Sequence, residues 1–140
     1  SGLRTSSGAR IHVKWLLHTH GHLDHVGATR EVKEGLSDAP SICLHLGDEP
    51  LYANLIQQGK LFGLNYQTPL SVDHYLQDEQ ELRIGLLRLT VLHTPGHSPG
   101  SVCFRLHEDS SCGSEETVFS GDTLFKGSVG RTDLWGADQG

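Results

Sequence analysis

Residues 18–25 read His-Thr-His-Gly-His-Leu-Asp-His, which places four imidazoles and one carboxylate in one short segment. Imidazole ligands suit zinc and iron, and a carboxylate joins them where the ion acts as a Lewis acid. His20 and His22 stand two residues apart, so their side chains point to the same side of an extended segment. Asp24 and His25 follow directly and can reach a neighbouring point. The segment therefore predicts a metal site with room for one ion or two.

The cluster follows an apolar run and precedes a helical pattern. Residues 11–17 predict a strand, so the first metal residues would lie in a loop at its carboxyl end, where α/β folds place their sites. Residues 26–34 predict a helix, and residues 41–46 predict a short strand. Asp48 is a candidate cap of a second helix. A strand that leads directly into a ligand-bearing loop is thus the expected scaffold of the site.

The second half of the chain has the pattern of a β structure. Strands are predicted over residues 72–76, 81–84, 86–92, 101–106 and 117–120. A polar turn over residues 107–116 separates the last two strands. Helices together with mainly antiparallel strands predict an α+β or layered fold, and 140 residues are enough for one domain.

Composition excludes several classes of protein. The net charge is −6 and the sequence contains no basic run, so nucleic acid is excluded as a partner. No apolar stretch approaches the roughly 20 residues that a membrane helix needs, so no membrane partner is expected. The cysteines Cys43, Cys103 and Cys112 lack CxxC spacing and are expected to be free thiols without a metal role. Free thiols fit a reducing cytoplasm.

Two residues far along the chain are candidate partners of the cluster. His97 lies in Thr-Pro-Gly-His-Ser-Pro-Gly at residues 94–100, where prolines and glycines predict a tightly shaped loop. A histidine fixed in such a loop suits a remote metal ligand. Asp122 follows the predicted strand 117–120 and Gly121, and its two oxygens could bridge two ions. Aspartate at a strand end is common, so Asp122 becomes a strong ligand candidate only together with the cluster.

Three motifs occur in the order that a known family has them. They are Thr-His-Gly-His-Leu-Asp-His at 19–25, His-Thr-Pro-Gly-His-Ser-Pro-Gly-Ser at 93–101 and Ser-Gly-Asp-Thr-Leu-Phe at 120–125. With them the chain resembles the metallo-β-lactamase superfamily and, within it, glyoxalase II (hydroxyacylglutathione hydrolase). Gly-Ser-Val-Gly-Arg-Thr-Asp at 127–133 is similar to the glyoxalase II-like and persulfide dioxygenase-like branch. The resemblance implies an αββα sandwich with the metals at one edge, between the two sheets.

The resemblance also implies a centre for one or two zinc ions, with iron as the alternative. The first ion would be bound by His20, His22 and His97, the second by Asp24 and His25, and Asp122 would bridge the two. Arg131 would bind the carboxylate of a glutathione-type substrate, because a guanidinium pairs with carboxylates in a bidentate manner. A surface arginine without that role is the alternative.

The other histidines are expected to have structural roles. His18 lies just before the motif and is interpreted as a strand-end residue, whereas His93 is expected to pack beside the His97 loop. Nothing in the sequence groups the remaining ones with the cluster; they are His12, His45, His74 and His107.

The chain departs from the family pattern at both ends. Members carry a further histidine after a C-terminal helix and strand, which completes the shell of the second ion, and Gly140 is the last residue here. The family's opening hairpin and the helical region of glyoxalase II also lack a counterpart. We therefore expect residues 1–140 to form a single metallo-β-lactamase-like domain that is truncated at both ends, a partial sandwich. Exposed strand surface would then favour aggregation or pairing of chains, so oligomerisation is left open.

Three functional hypotheses follow. The first is a metal-dependent thioester hydrolase: the metal would lower the pKa of its bound water to about 7, and Asp24 would orient that water and take its proton, which leaves hydroxide to attack the thioester. The second is a persulfide dioxygenase-like enzyme with one iron held by His20 or His22, His97 and Asp122, a 2-His-1-carboxylate set that leaves positions open for oxygen. The third is a truncated member that binds metal without catalysis.

Overall fold

Two β-sheets packed face to face form the centre of the computed structural model, which describes residues 2–107 and 116–134. The first sheet is parallel, with strands in the order β1 (Trp15–Leu17), β2 (Ser41–His45) and β3 (His74–Leu76). The second sheet is antiparallel, with strands in the order β4 (Glu81–Ile84), β5 (Leu87–His93), β6 (Val102–His107) and β7 (Thr117–Phe119). A short hairpin follows, made of β8 (Leu124–Phe125) and β9 (Ser128–Val129).

The helices lie in the crossovers of the first sheet. They are α1 (Leu23–Val26), α2 (Thr29–Gly35), α3 (Glu49–Ala53) and α4 (Leu55–Leu61), and a 3-10 turn at Leu46–Asp48 leads into α3. Parallel strands cannot be joined by a tight turn, so each connection has to cross back over one face of the sheet. Here helices fill both crossovers.

Side-chain alternation along β2 divides the core into two layers. Cys43 faces the second sheet and belongs to a buried cluster with Val91 and Val102. Ile42 and Leu44 point to the opposite face, where residues of α1, α3 and α4 pack on them. The molecule is therefore layered as helices, first sheet and second sheet, three of the four layers of an αββα sandwich. Within the described residues no helix follows β4.

The α+β class is confirmed, and so are the strand over 81–84 and the approximate positions of the other strands. Two details were wrong. The first strand occupies only Trp15–Leu17 of the predicted 11–17, and the predicted helix 26–34 is two short helices separated at residues 27–28. Most strand pairs are antiparallel, as expected, and the parallel pairs lie in the first sheet, where helices connect the strands.

Most of the predicted polar turn at 107–116, and Cys112 with it, lies outside the described residues. Cys43 and Cys103 are buried free thiols, as expected. Among the described residues, no helix combines the length and the apolar character that a membrane span requires.

Candidate metal centre

The cluster at 18–25 lies where β1 ends, in the position that the sequence predicts. The backbone of this loop is held by both sheets: the amide of His18 donates to the carbonyl of Cys43 at 3.0 Å, and the amide of Val102 donates to the carbonyl of Thr19 at 2.8 Å. His22 precedes α1, which carries Asp24 and His25. The ligand candidates are thus presented at the junction of the two sheets.

The first group of candidate ligands consists of His20, His22 and His97, whose ligand atoms all lie within 4.8 Å of one another. Nδ1 of His22 lies 3.0 Å from Nε2 of His97. His20 and His97 are only 1% and 6% exposed. The structure therefore brings a residue of the 94–100 loop to the cluster, 75 positions earlier in the chain.

Hydrogen bonds on the far side of the rings turn one nitrogen of His97 and one of His20 toward this group. Nδ1 of His97 donates to the backbone carbonyl of Arg131 at 2.9 Å, which leaves Nε2 without its proton in the neutral ring. Nδ1 of His20 lies 3.1 Å from the hydroxyl of Thr19. Bonds of this kind fix the tautomer and orientation of metal-binding histidines.

Nε2 of His20 has no hydrogen-bond partner among the described residues, although it is buried. Burial, and to a smaller extent the neighbouring rings of His25, His22 and His97, together lower the pKa of His20 to about 2. The ring is therefore neutral at ordinary pH, and the two groups place four other side chains with ligand atoms near His20; they are His22, His25, His97 and Asp122. A neutral imidazole nitrogen with a free lone pair is the form of histidine that binds divalent metals, so these residues fit a metal ion.

The second group consists of His20, His25 and Asp122. Nε2 of His25 lies 3.3 Å from Oδ1 of Asp122 and 3.7 Å from Oδ2 of Asp24, while Oδ2 of Asp122 lies 3.6 Å from Nε2 of His97. Asp122 thus reaches members of both groups, which is the geometry that a bridging carboxylate needs. Asp24 stands at the rim with 68% of its side chain exposed, near His25 but outside either group of three.

Two glycines allow Asp122 to sit this close. Gly121 has a φ of +51°, and a Cβ there would lie 2.5 Å from the hydroxyl oxygen of Thr19. A Cβ on Gly130 would overlap the carbonyl oxygen of Asp122, because the β8–β9 hairpin folds back over this residue. Larger residues at either position would push Asp122 away from the histidines.

A cavity of about 500 Å³ opens beside the histidines. Its lining residues are His22, Leu23, Asp24, Gln58, Leu61, Phe62, His97, Asp122, Arg131 and Leu134. Arg131 lies at this cavity, and its guanidinium forms a two-point ion pair with Asp133, with N–O distances of 2.7 and 2.9 Å. Exposed apolar side chains and the cation of Arg131 thus lie next to the candidate ligands. The volume of the cavity is typical of a small-molecule site.

Sequence reasoning missed two buried side chains that hold the cluster. The amide of Gln58 donates to the carbonyl of Gly21 at 3.1 Å, and its oxygen accepts from the amide of Leu23 at 3.0 Å. Asp48, interpreted as a helix cap, makes no such cap; its carboxylate instead accepts from the amide of Gly21. Neither residue stands near the motifs in the sequence, and no pattern there points to them.

The other histidines lie outside both groups, as expected. His18 donates to the carbonyl of Cys43 and bonds the hydroxyl of Thr29, so both of its ring nitrogens are engaged. His93 donates to the carbonyl of Pro99 at 2.9 Å and stacks on His45, with ring centroids 4.1 Å apart. The remaining three bond to side chains away from the centre; they are His12, His74 and His107.

Comparison with known proteins gives a consistent result. The chain is 41% identical over 126 residues to the probable metallo-hydrolase YqgX of Bacillus subtilis and 35% identical over 134 residues to the hydroxyacylglutathione hydrolase GloC of Haemophilus influenzae. Each alignment covers 89% of this chain and 56% of the relative, so the chain spans little more than half their length.

Among solved structures, TTHA1623 in a di-iron-bound form matches with a TM-score of 0.72 at 40% identity, covering 95% of this chain and 60% of that one. The sequence profile of the metallo-beta-lactamase superfamily matches residues 4–139. Profile, relatives and fold agree with the paired sheets and the histidine groups described above. The chain therefore belongs to the metallo-β-lactamase superfamily.

Proposed function

We propose that this chain carries the metal centre of a hydrolase and that its substrate is a thioester of the glutathione type. The observation that supports a metal-dependent reaction most directly is Nε2 of His20, a buried and neutral donor that faces the other ligand candidates. The choice of substrate is supported by the likeness to GloC, which is named as a hydroxyacylglutathione hydrolase.

In this proposal, six side chains hold two ions. His20, His22 and His97 would hold the first ion, Asp24 and His25 the second, and Asp122, which lies between the two groups, would serve both. Such ions act as Lewis acids and lower the pKa of bound water to about 7. Zinc and iron both suit this set of imidazoles and carboxylates, and TTHA1623 is described with two irons.

Asp24 is the proposed catalytic base. Its side chain lines the cavity and is largely exposed, so a water at the centre can reach it. A carboxylate in this position orients the attacking water and accepts its proton. Asp122 is less suited to that role, because both of its oxygens already face histidines.

Arg131 is the proposed anchor for a carboxylate of the substrate. Asp133 engages its Nε and Nη2, and no described residue accepts a hydrogen bond from Nη1. Arg131 lines the same cavity as Leu61 and Phe62, which are 79% and 71% exposed. A substrate with a carboxylate at one end and an apolar portion beside the thioester would use both surfaces.

Persulfide oxidation is the second candidate function. It is favoured by the group of His20, His25 and Asp122, which is a 2-His-1-carboxylate set, although with His25 where the sequence suggested His97. TTHA1623 also binds iron, although it holds two irons where this function uses one.

The test compares the two reactions on one preparation. The chain is freed of metal, reloaded with zinc or with iron, and assayed for hydrolysis of S-lactoylglutathione and for oxygen uptake on glutathione persulfide. We expect the unmodified chain to hydrolyse the thioester. This activity should be lost in Asp24→Asn and retained in the control Asp38→Asn, in which the substituted residue pairs with Arg10. Oxygen uptake without hydrolysis would replace the proposal by the second function. Metal binding without either reaction would identify a non-catalytic member.

A further inference from the structure

The carboxylate of Asp48 is completely buried and bonds two separate loops. Its Oδ2 accepts from the amide of Gly21 at 2.8 Å and from the hydroxyl of Ser98 at 2.6 Å. Its Oδ1 accepts from the amide of Gly100 at 2.6 Å. One side chain at the start of α3 therefore satisfies donors from both loops.

These donors are next to the candidate ligands. Gly21 lies between His20 and His22, and Ser98 directly follows His97. The first group draws its three histidines from these two loops, so the separation of the loops decides whether the ligand atoms can meet. Asp48 is the side chain that spans this separation.

The packing around Asp48 leaves little freedom to either loop. A Cβ on Gly100 would overlap the backbone nitrogen of Asp48, and a Cβ on Gly21 would lie 2.9 Å from the carbonyl oxygen of Asp48. A Cβ on Gly47 would lie 3.0 Å from the carbonyl oxygen of Pro99. Both loops thus rest with their backbones directly on the turn that carries the carboxylate.

A buried carboxylate is a costly choice if stability alone is needed. Removing the charge from water is unfavourable, and among the described residues no lysine or arginine pairs with Asp48 to offset it. Three hydrogen bonds to one rigid, planar group do fix distances between the donors better than separate contacts would.

We propose that Asp48 is a positioning residue of the metal centre: its carboxylate sets the distance between the loop of His20 and His22 and the loop of His97, and thereby the affinity for the first ion. This role rests on the proposed metal-dependent function. It requires no contact between Asp48 and the ion.

The test measures zinc affinity by competition with a chromogenic chelator, together with the visible spectrum of the cobalt-substituted protein. In Asp48→Asn an NH2 group replaces one carboxylate oxygen, so a donor faces an N–H or O–H that also donates, and that hydrogen bond is lost. We therefore expect the zinc affinity to fall about 10- to 100-fold, as for other residues that orient ligands. The cobalt bands should shift as well.

The matched control is Asp73→Asn. Asp73 also accepts from a backbone amide, that of Ile42 at 2.8 Å, and pairs with Lys33, but it contacts neither ligand loop. The zinc affinity of the Asp73→Asn variant should equal that of the unmodified chain. This should hold even if the variant's melting temperature without metal falls as much as that of Asp48→Asn.

Ser98→Ala removes one of the three bonds and is the milder variant, with a smaller loss of zinc affinity in the same direction. If Asp48→Asn does not fold, Ser98→Ala decides the question by itself. Unchanged affinity and cobalt spectrum in the folded variants, or an equal loss in Asp73→Asn, would overturn the role of Asp48 alone. An unmodified chain that binds no zinc would overturn the metal centre and with it the proposed function.

Discussion

The two groups of candidate ligands differ in how firmly the fold holds them. In the first group, His20 and His97 are buried and their outer nitrogens are engaged by Thr19 and Arg131. In the second group, the side chains of His25 and Asp122 are 28% and 27% exposed, and the contacts between them are 3.3 Å and longer. Burial and hydrogen bonds therefore hold the side chains of the first group in place, whereas the second group is open to solvent.

A preassembled group loses less conformational freedom when it binds, so it should bind more tightly. The exposed group has to order its side chains on binding and competes with water for them. We therefore expect unequal affinities for the two ions, with the first group filled first.

His20→Gln should have the largest effect, because His20 belongs to both groups. We expect the affinity for the first ion to fall by more than the roughly 100-fold that changes behind the ligands can reach. His93→Ala is the matched control, since His93 bonds the same 94–100 loop through Pro99 without belonging to either group. Chelator competition measures both variants, and retained tight binding in His20→Gln would contradict the assignment.

Asp24→Asn should separate catalysis from binding at the first group. Loss of a general base typically lowers the rate by 10²- to 10⁴-fold, so we expect kcat for S-lactoylglutathione to fall by about 100-fold or more. The affinity for the first ion should remain that of the unmodified chain, because Asp24 is exposed and lies outside that group. Steady-state kinetics at saturating metal checks the first expectation, and a metal titration checks the second. A parallel loss of both would make Asp24 part of the first group.

The smallest effect is a pH dependence of the metal-free protein. The pKa of His20 is lowered in the folded state to about 2, while the unfolded chain has the ordinary value of 6.5. The unfolded state therefore binds more protons in this range, and the free energy of unfolding should decrease as the pH falls below 6.5. The contribution of one histidine is at most about 1.4 kcal/mol per pH unit.

Urea unfolding in the presence of a chelator, between pH 7.5 and pH 5, measures this dependence. His20→Gln should flatten the decrease but not abolish it, because burial lowers the pKa of His18 as well. An identical slope in His20→Gln and in the unmodified chain would show that His20 is not held neutral by burial.

The class of the fold, and the residues that the structure brings together in the two groups, could be predicted from the sequence because both are carried by local patterns and motifs. Alternating apolar residues indicate strands wherever the strands are long enough, as in residues 81–84 and 86–92. The first sheet was harder to predict, since β1 and β3 have only three residues each and their parallel pairing depends on crossovers through helices. No local pattern encodes that pairing.

The supporting residues of the centre could not be predicted for a related reason. Asp48 and Gln58 reach the cluster only after α3 and α4 have packed on the first sheet. Arg131 was singled out for its guanidinium, yet the contact that it makes with the histidines is through its backbone carbonyl, which any residue carries. The chemistry of a side chain can be read from the sequence. Which backbone carbonyl accepts the hydrogen bond that orients the ring of His97 depends on the tertiary structure.

Burial and hydrogen bonds hold the first group, and the exposed second group should bind its ion more weakly. Calorimetric titration of zinc into the unmodified chain, His97→Ala and His25→Ala tests this most directly. The account predicts one tight ion in the unmodified chain and in His25→Ala, and loss of that tight ion in His97→Ala. Equal affinities for both ions, or a tight ion that survives in His97→Ala and disappears in His25→Ala, would contradict it.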